Sequence, residues 1–220
     1  MNTNRSARIS VLLVDDHAVV REGYRRLLEA HGSVVVVGEA ASALEAEAKF
    51  SALAPDVVVM DIALPGVSGI EAMRRMLSAD PGVRVLMFSM YEDTIYADRA
   101  LQAGARGYVT KASAPHVLMA AVEAVANGGK YLSPDIAQEL ALRNVATASV
   151  APEGLTVREL EVLRLLVQGL SVRNVADTLR LTPKTVANHK STIKPMLGAE
   201  TSVQVARIGA ALLKLTMDAD

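Results

Sequence analysis

Apolar residues along this chain come in two alternating arrangements: short unbroken runs, and longer stretches where they recur every three or four positions. The runs are Ile9 to Val14, Val34 to Val37, Val57 to Met60, Val83 to Phe88 and Gly107 to Val109. Runs this short and rich in β-branched residues suit strands covered on both faces. Between them, Val20, Tyr24, Leu27 and Leu28 form one helical stripe. Ile70, Met73 and Leu77 form a second, and Leu118, Ala121, Val122 and Val125 a third. Strand alternating with helix five times predicts an α/β domain over residues 7–128, a doubly wound five-stranded parallel sheet in the order 2-1-3-4-5.

After Tyr131 the pattern changes. Ser133-Pro134 opens a short helical stretch to about Leu142, and Asn144 to Gly154 has little patterning. Residues 129–154 therefore read as a linker with a short helix. From Leu155 the periodicity is purely helical. Thr156 with Glu159 forms a capping box, and Gly169 stops that helix. Ser171 starts a second helix ending near Leu179, and Thr182-Pro183 a third ending at Gly198. Thr201 or Ser202 starts a fourth. The tight connection at Arg180-Leu181 forces a large crossing angle, so residues 155–214 are expected to form a small all-α four-helix domain with a helix-turn-helix.

Composition narrows the class. The 220 residues are 51% hydrophobic and 21% charged, as in a folded globular protein. There is no cysteine, which excludes disulfides and thiol chemistry and fits a reducing cytoplasm. Met1 to Ser10 lacks the apolar core of a signal peptide, and no run reaches membrane-spanning length. A cytoplasmic location without membrane contact is the expectation. The net charge of -1 conceals an asymmetry. Residues 1–154 carry 14 basic against 18 acidic side chains, whereas residues 155–220 carry 9 against 6, an excess compatible with nucleic acid.

The candidate chemistry lies at strand ends. Asp15 and Asp16 follow the first strand, and Asp61 ends the third before a Pro-Gly turn. In the predicted strand order the first and third strands are neighbours, so three carboxylates share one edge. Carboxylates crowded together resist ionising together, and a hard cation such as Mg²⁺ resolves the repulsion. Ser89 closes the fourth strand and Lys111 follows the fifth, adding a hydroxyl and a fixed cation. This set suits phosphoryl chemistry, with Asp61 as nucleophile and the metal and Lys111 on the equatorial oxygens.

Val-Asp-Asp-His at 14–17, Met-Asp-Ile-Ala-Leu-Pro-Gly at 60–66, Phe-Ser at 88–89 and Gly-Tyr-Val-Thr-Lys at 107–111 resemble the receiver domain of two-component response regulators. The resemblance implies a flavodoxin-like fold in which Asp61 accepts phosphate from a histidine kinase or phosphotransfer protein. It also implies that Asp15, Asp16, Asp61 and the Ala63 carbonyl serve Mg²⁺, while Ser89 and Tyr108 switch with Lys111 on the phosphate. His17 is read as an exposed helix start. Ala63 and Tyr91 offer no carboxamide or carboxylate to orient an attacking water, so a long-lived phosphorylated state is expected.

Leu155-Thr-Val-Arg-Glu-Leu-Glu-Val-Leu, Gln168-Gly-Leu-Ser and Lys184-Thr-Val-Ala-Asn-His-Lys-Ser-Thr-Ile resemble the LuxR-type (NarL/FixJ-like) DNA-binding domain. Ser133-Pro-Asp-Ile-Ala-Gln-Glu-Leu looks most like a subgroup of global regulators of secondary metabolism and virulence. The third helix carries Lys184, Ala187, Asn188, Lys190, Ser191 and Lys194 as candidate DNA contacts. Asn188 is suited to adenine and the lysines to phosphates of double-stranded DNA. Ala187 stands where the family often has Lys or Arg. Pro195 lacks an amide donor and is expected to kink the last turn and weaken half-site binding. Val205, Ile208 and Leu212 form a stripe expected to make a homodimer, the natural contact in the family, although core packing explains it equally well. The leading expectation is a phosphorylation-controlled transcription factor rather than an enzyme. An Mg²⁺-dependent aspartyl phosphohydrolase and an adaptor acting only by protein contacts are the alternatives.

Overall fold

The computed structural model describes residues 8–30, 32–145 and 155–213. They fall into two compact units: one runs to Glu92 and resumes from Ala100 to Ala137, and the other takes Asp93–Arg99 and continues from Gln138. Most of the unpatterned stretch expected up to Gly154, residues 146–154, lies outside the described residues, as does the expected domain end at 214.

The first unit is built on parallel strands β1 (Ile9–Val14), β2 (Val34–Ala40), β3 (Val57–Met60), β4 (Val85–Ser89) and β5 (Gly107–Thr110). Along the chain, helices α1 (Ala18–Glu29), α2 (Ala43–Leu53), α3 (Gly69–Ala79), α4 (Thr94–Gln102) and α5 (Pro115–Ala126) alternate with them, Thr94 to Arg99 of α4 being counted with the second unit. The expected order 2-1-3-4-5 is present, but a sixth strand follows it, so the five-stranded expectation is corrected to β2-β1-β3-β4-β5-β6. Strand β6 (Tyr131–Leu132) lies within the stretch read as linker, and pairs in parallel with Gly107 and Tyr108 of β5. Two residues carry no periodicity, which is why the pattern missed it. Gly107 permits the pairing, because a Cβ there would lie 2.5 Å from the Tyr131 carbonyl oxygen.

Residues Val11, Leu13, Val57, Val59, Leu86, Phe88 and Val109 pack with Leu28, Leu118, Val122 and Val125 in one core on the α1 and α5 side. The register fixes where the strands end. Val14 lies opposite Met60, and the Asp61 amide donates to the Val14 carbonyl at 2.9 Å, so Asp61 and Asp15 leave the sheet side by side. Ser89 lies opposite Thr110, and the Lys111 amide donates to the Ser89 carbonyl at 2.8 Å.

Beyond β6, α6 (Pro134–Val145) is longer than the expected stretch to about Leu142. The C-terminal helices are α7 (Val157–Val167), α8 (Val172–Leu179), α9 (Pro183–Met196) and α10 (Ser202–Leu212). Thr156 and Glu159 cap each other's backbone as expected, and Thr201 with Gln204 forms a second capping box. Arg180 takes a left-handed conformation with φ of 51°, turning the chain between α8 and α9.

Candidate functional site

Each member of the predicted pocket emerges from a strand end, and the sheet register brings them together. Asp15 and Asp61 are 2% and 4% exposed, and Lys111 bridges them. Its Nζ donates to Asp15 Oδ2 at 2.5 Å and to Asp61 Oδ2 at 2.7 Å. The other Asp15 oxygen accepts from the His17 amide at 2.8 Å, and the Ala63 amide donates to Asp61 Oδ1 at 3.3 Å. His17 Nδ1 lies 2.8 Å from Asp16 Oδ1, although the His17 side chain is largely exposed, as its helix-start reading required. Ser89 is wholly buried and its hydroxyl accepts from the Tyr91 amide at 3.2 Å. Tyr108 is wholly buried too, its hydroxyl donating to the Tyr91 carbonyl at 2.7 Å. Both candidate switch residues therefore converge on Tyr91.

The electrostatics follow from the count of charges. One ammonium serves two buried carboxylates, so negative charge is left over. Burial pushes the Asp61 carboxyl above its ordinary value, and the neighbouring Asp15 adds to this against the opposing pull of Lys111. Burial alone would push the Lys111 ammonium down, but Asp61 and Asp15 outweigh it and hold the amine protonated more firmly than usual. One donor atom each from Asp15, Asp16 and His17 lies within 4.8 Å of the others. Clustered carboxylate oxygens with excess negative charge fit a small hard cation.

Two supporting residues escaped the sequence reading. Arg21 of α1 donates to the Asp15 carbonyl at 2.5 Å and bonds Glu39 at 3.3 Å, bracing the turn that carries the acidic pair. Gly69, the first residue of α3, rests directly on the Asp61 backbone, and its amide donates to the Ile62 carbonyl at 2.9 Å. A glycine opening a helix after a Ser cap gives no hint in sequence that another strand approaches it.

In the second unit, Lys184, Ala187, Asn188, Ser191 and Lys194 of α9 are exposed along the helix and Lys190 is half-buried, while Val186 and Ile193 face inward. The Ser191 hydroxyl donates to the Ala187 carbonyl at 3.0 Å, within its own helix. Pro195 lies inside α9, which nonetheless runs on to Met196, with the Leu197 amide on the Ile193 carbonyl at 3.0 Å.

Comparison with known proteins matches residues 11–123 to the family described as response regulator receiver domain, and residues 153–208 to bacterial regulatory proteins of the luxR family. The chain belongs to the LuxR-family response regulators. Among relatives, the response regulator GacA of Pseudomonas syringae pv. syringae (strain B728a) is 38% identical over 200 residues, 90% of this chain and 94% of that protein. A crystal structure of a two-component response regulator of the LuxR family from Aurantimonas sp. SI85-9A1 shares 48% identity. It covers 63% of this chain and 99% of that one, with a TM-score of 0.62. A structure of the Salmonella typhimurium RcsB response regulator, which concerns conformational dynamism for DNA interaction, shares 25% identity with a TM-score of 0.61. It covers 93% of this chain and 99% of that one.

One expectation for this response regulator is corrected within its second unit. Val205 is only 3% exposed, so it is a core residue and offers no surface to a second copy. Ile208 and Leu212 remain half-buried, and Val203, Arg207 and Ala211 make the exposed face of α10, with Val203 at 75%. The helical spacing of Val205, Ile208 and Leu212 was genuine; it tracked a face turned partly inward.

Proposed function

We propose that this response regulator takes a phosphoryl group on Asp61 from a histidine kinase or phosphotransfer protein and, so modified, controls transcription by binding double-stranded DNA through α9. The observation that carries the reading is Lys111 Nζ, within hydrogen-bond distance of both Asp15 and Asp61 in a pocket only a few per cent exposed. A protonated amine held there faces the oxygens of an incoming phosphoryl group. Asp15 and Asp16, with Asp61 and the Ala63 carbonyl, would hold Mg²⁺, whose chemistry when bound is to neutralise charge on the transferred group. Ser89 and Tyr108, both bonded to Tyr91, are positioned to report occupancy of the pocket as a change in the loop after β4.

In α9, Asn188 is suited to a base edge in the major groove, with Ala187 beside it, and Lys184, Lys190, Ser191 and Lys194 to the backbone. The exposed face of α10, flanked by Ile208 and Leu212, is the surface we assign to a homodimer in the active state. No helix among the described residues is long and apolar enough to cross a membrane, and we assign the protein to the cytoplasm.

The test is genome-wide DNA footprinting of wild type against Asp61→Ala, paired with mass spectrometry of purified protein after incubation with acetyl phosphate and Mg²⁺. The expected result is a gain of one phosphoryl mass mapped to Asp61, and promoter occupancy that collapses in the variant. Occupancy indifferent to Asp61 would favour a regulator working without phosphorylation.

A further inference from the structure

The residue before Lys111 is hydrogen-bonded to a side chain on another element. Thr110, 1% exposed and adjacent to Lys111, donates its hydroxyl proton to Asp135 Oδ2 at 2.9 Å. The Thr110 hydroxyl oxygen also lies 2.9 Å from Ser113 Oγ. A hydroxyl carries one proton, so Thr110 accepts from Ser113 while giving to Asp135, a directed chain that spans the turn holding Lys111. The backbone reinforces it: the Ser113 amide donates to the Thr110 carbonyl at 3.1 Å. Asp135 stands in the first turn of α6, fixed to the sheet by β6 and by the Ser133 amide on the Tyr108 carbonyl at 2.9 Å. Burial pushes the Asp135 carboxyl up, but the hydroxyls of Ser133 and Thr110 and the first-turn amides outweigh it and hold it below its ordinary value. It is therefore an ionised acceptor at neutral pH, and a hydrogen bond to a charged group is the stronger kind. Asp135 also lies beyond residue 123, where the match to the receiver family ends.

We propose that Asp135 is a positioning residue for phosphoryl transfer: by fixing Thr110 it holds the turn after β5 and so keeps the Lys111 ammonium on Asp61. The inference rests on the reading of Asp61 as phosphoacceptor. In that reaction an Asp61 carboxylate oxygen attacks phosphorus, the new O–P bond forms as the bond to the leaving group breaks, and the leaving group departs with the electron pair. With acetyl phosphate as donor the products are the Asp61 acyl phosphate and acetate. Lys111 serves this step best when its Nζ is already in place, since a misplacement of about 1 Å can cost on the order of a hundredfold in rate. Asp135 touches neither donor nor nucleophile; it acts through Thr110.

The experiment measures the rate of Asp61 phosphorylation against acetyl phosphate concentration, with Mg²⁺, for full-length wild type, Thr110→Val, Thr110→Ser, Asp135→Asn and the double variant Thr110→Val/Asp135→Asn. Mg²⁺ affinity by calorimetry and thermal melting are measured alongside. Thr110→Val and Asp135→Asn are each expected to lower the maximal rate about five- to tenfold while leaving Mg²⁺ affinity within about twofold. Thr110→Ser should retain the wild-type rate, and the double variant should be no slower than the slower single one, because both remove the same bond. A wild-type rate in Thr110→Val or Asp135→Asn overturns the proposal, as does a double variant whose loss is the product of the single losses. Should Asp135→Asn fail to fold, the near-isosteric Thr110→Val and its Thr110→Ser control decide the matter alone. A wild type that takes up no phosphoryl group would overturn the reading of Asp61 itself, which distinguishes the two failures.

Discussion

Gly69 and Asp61 are in contact through their backbones: a Cβ added to Gly69 would overlap the Asp61 carbonyl oxygen and lie 2.9 Å from its carbon. The start of α3 is thus the wall against which the end of β3 rests. Gly69→Ala should push the two apart, at a cost of about 1–3 kcal/mol for forced overpacking. The displacement falls on the residue after Met60, so Asp61 phosphorylation should drop with it. Chemical denaturation and acetyl phosphate labelling together check this; a variant of unchanged stability and labelling would show that the helix start yields freely.

Lys111 balances two buried carboxylates, and removing it leaves them facing each other. Lys111→Met should destabilise the protein by about 3–5 kcal/mol at neutral pH, the usual cost of stripping the partner from a buried charge. The direction with pH follows from the raised Lys111 value: its stabilisation is fully present below the ordinary lysine pKa and is lost only as pH rises through the still higher folded value. In the variant, the destabilisation should shrink as acid protonates the abandoned carboxylates. Urea midpoints across the acidic range measure it.

Asp61 follows the same direction in a lower pH range. Its carboxyl is raised in the folded state, so its contribution to stability is present below the ordinary carboxylate pKa and is lost as pH rises through the raised value. Asp61→Asn, which removes the surplus negative charge while leaving Lys111 on Asp15, should therefore raise the melting temperature at neutral pH. The gain should fade toward acidic pH; a gain that persists there would show that charge is not its source.

On α9, Asn188→Ala should cost about 1–3 kcal/mol in DNA binding at a specific site and relax the preference at one base position. Lys184→Ala should instead weaken binding to every sequence and lower the salt slope by about one. Binding titrations over a range of salt concentrations separate the two. Pro195 supplies no amide to the Ser191 carbonyl, so Pro195→Gln should firm the last turn and reduce the salt sensitivity of binding.

Ala63 has no side-chain group to orient water beside Asp61, and Tyr91 is engaged through its backbone by Ser89 and Tyr108. Loss of label from the phosphorylated protein should take far longer than seconds, and Ala63→Asn should shorten it. Decay of the wild type within seconds would contradict this.

What the sequence determined by itself was whatever local physics writes into one segment. Unbroken apolar runs marked the strands, Thr156 with Glu159 marked the start of α7, and acidic or basic residues after those runs marked the strand ends. Once the strand order was inferred, Asp15, Asp61 and Lys111 had to meet, because parallel strands release their C-terminal residues on one edge. Tertiary structure decided everything that depends on which backbone approaches which. The two-residue β6 exists only because Gly107 leaves room for it, and Gly69 matters only because Asp61 lies against it. Val205 and Ile208 share a helical stripe, yet only packing against the other helices turned the first fully inward and left the second half-buried. Asp135 is separated from Thr110 by more than twenty residues. Periodicity reports a residue's neighbours along its own element, whereas hydrogen bonds between elements are set by the fold.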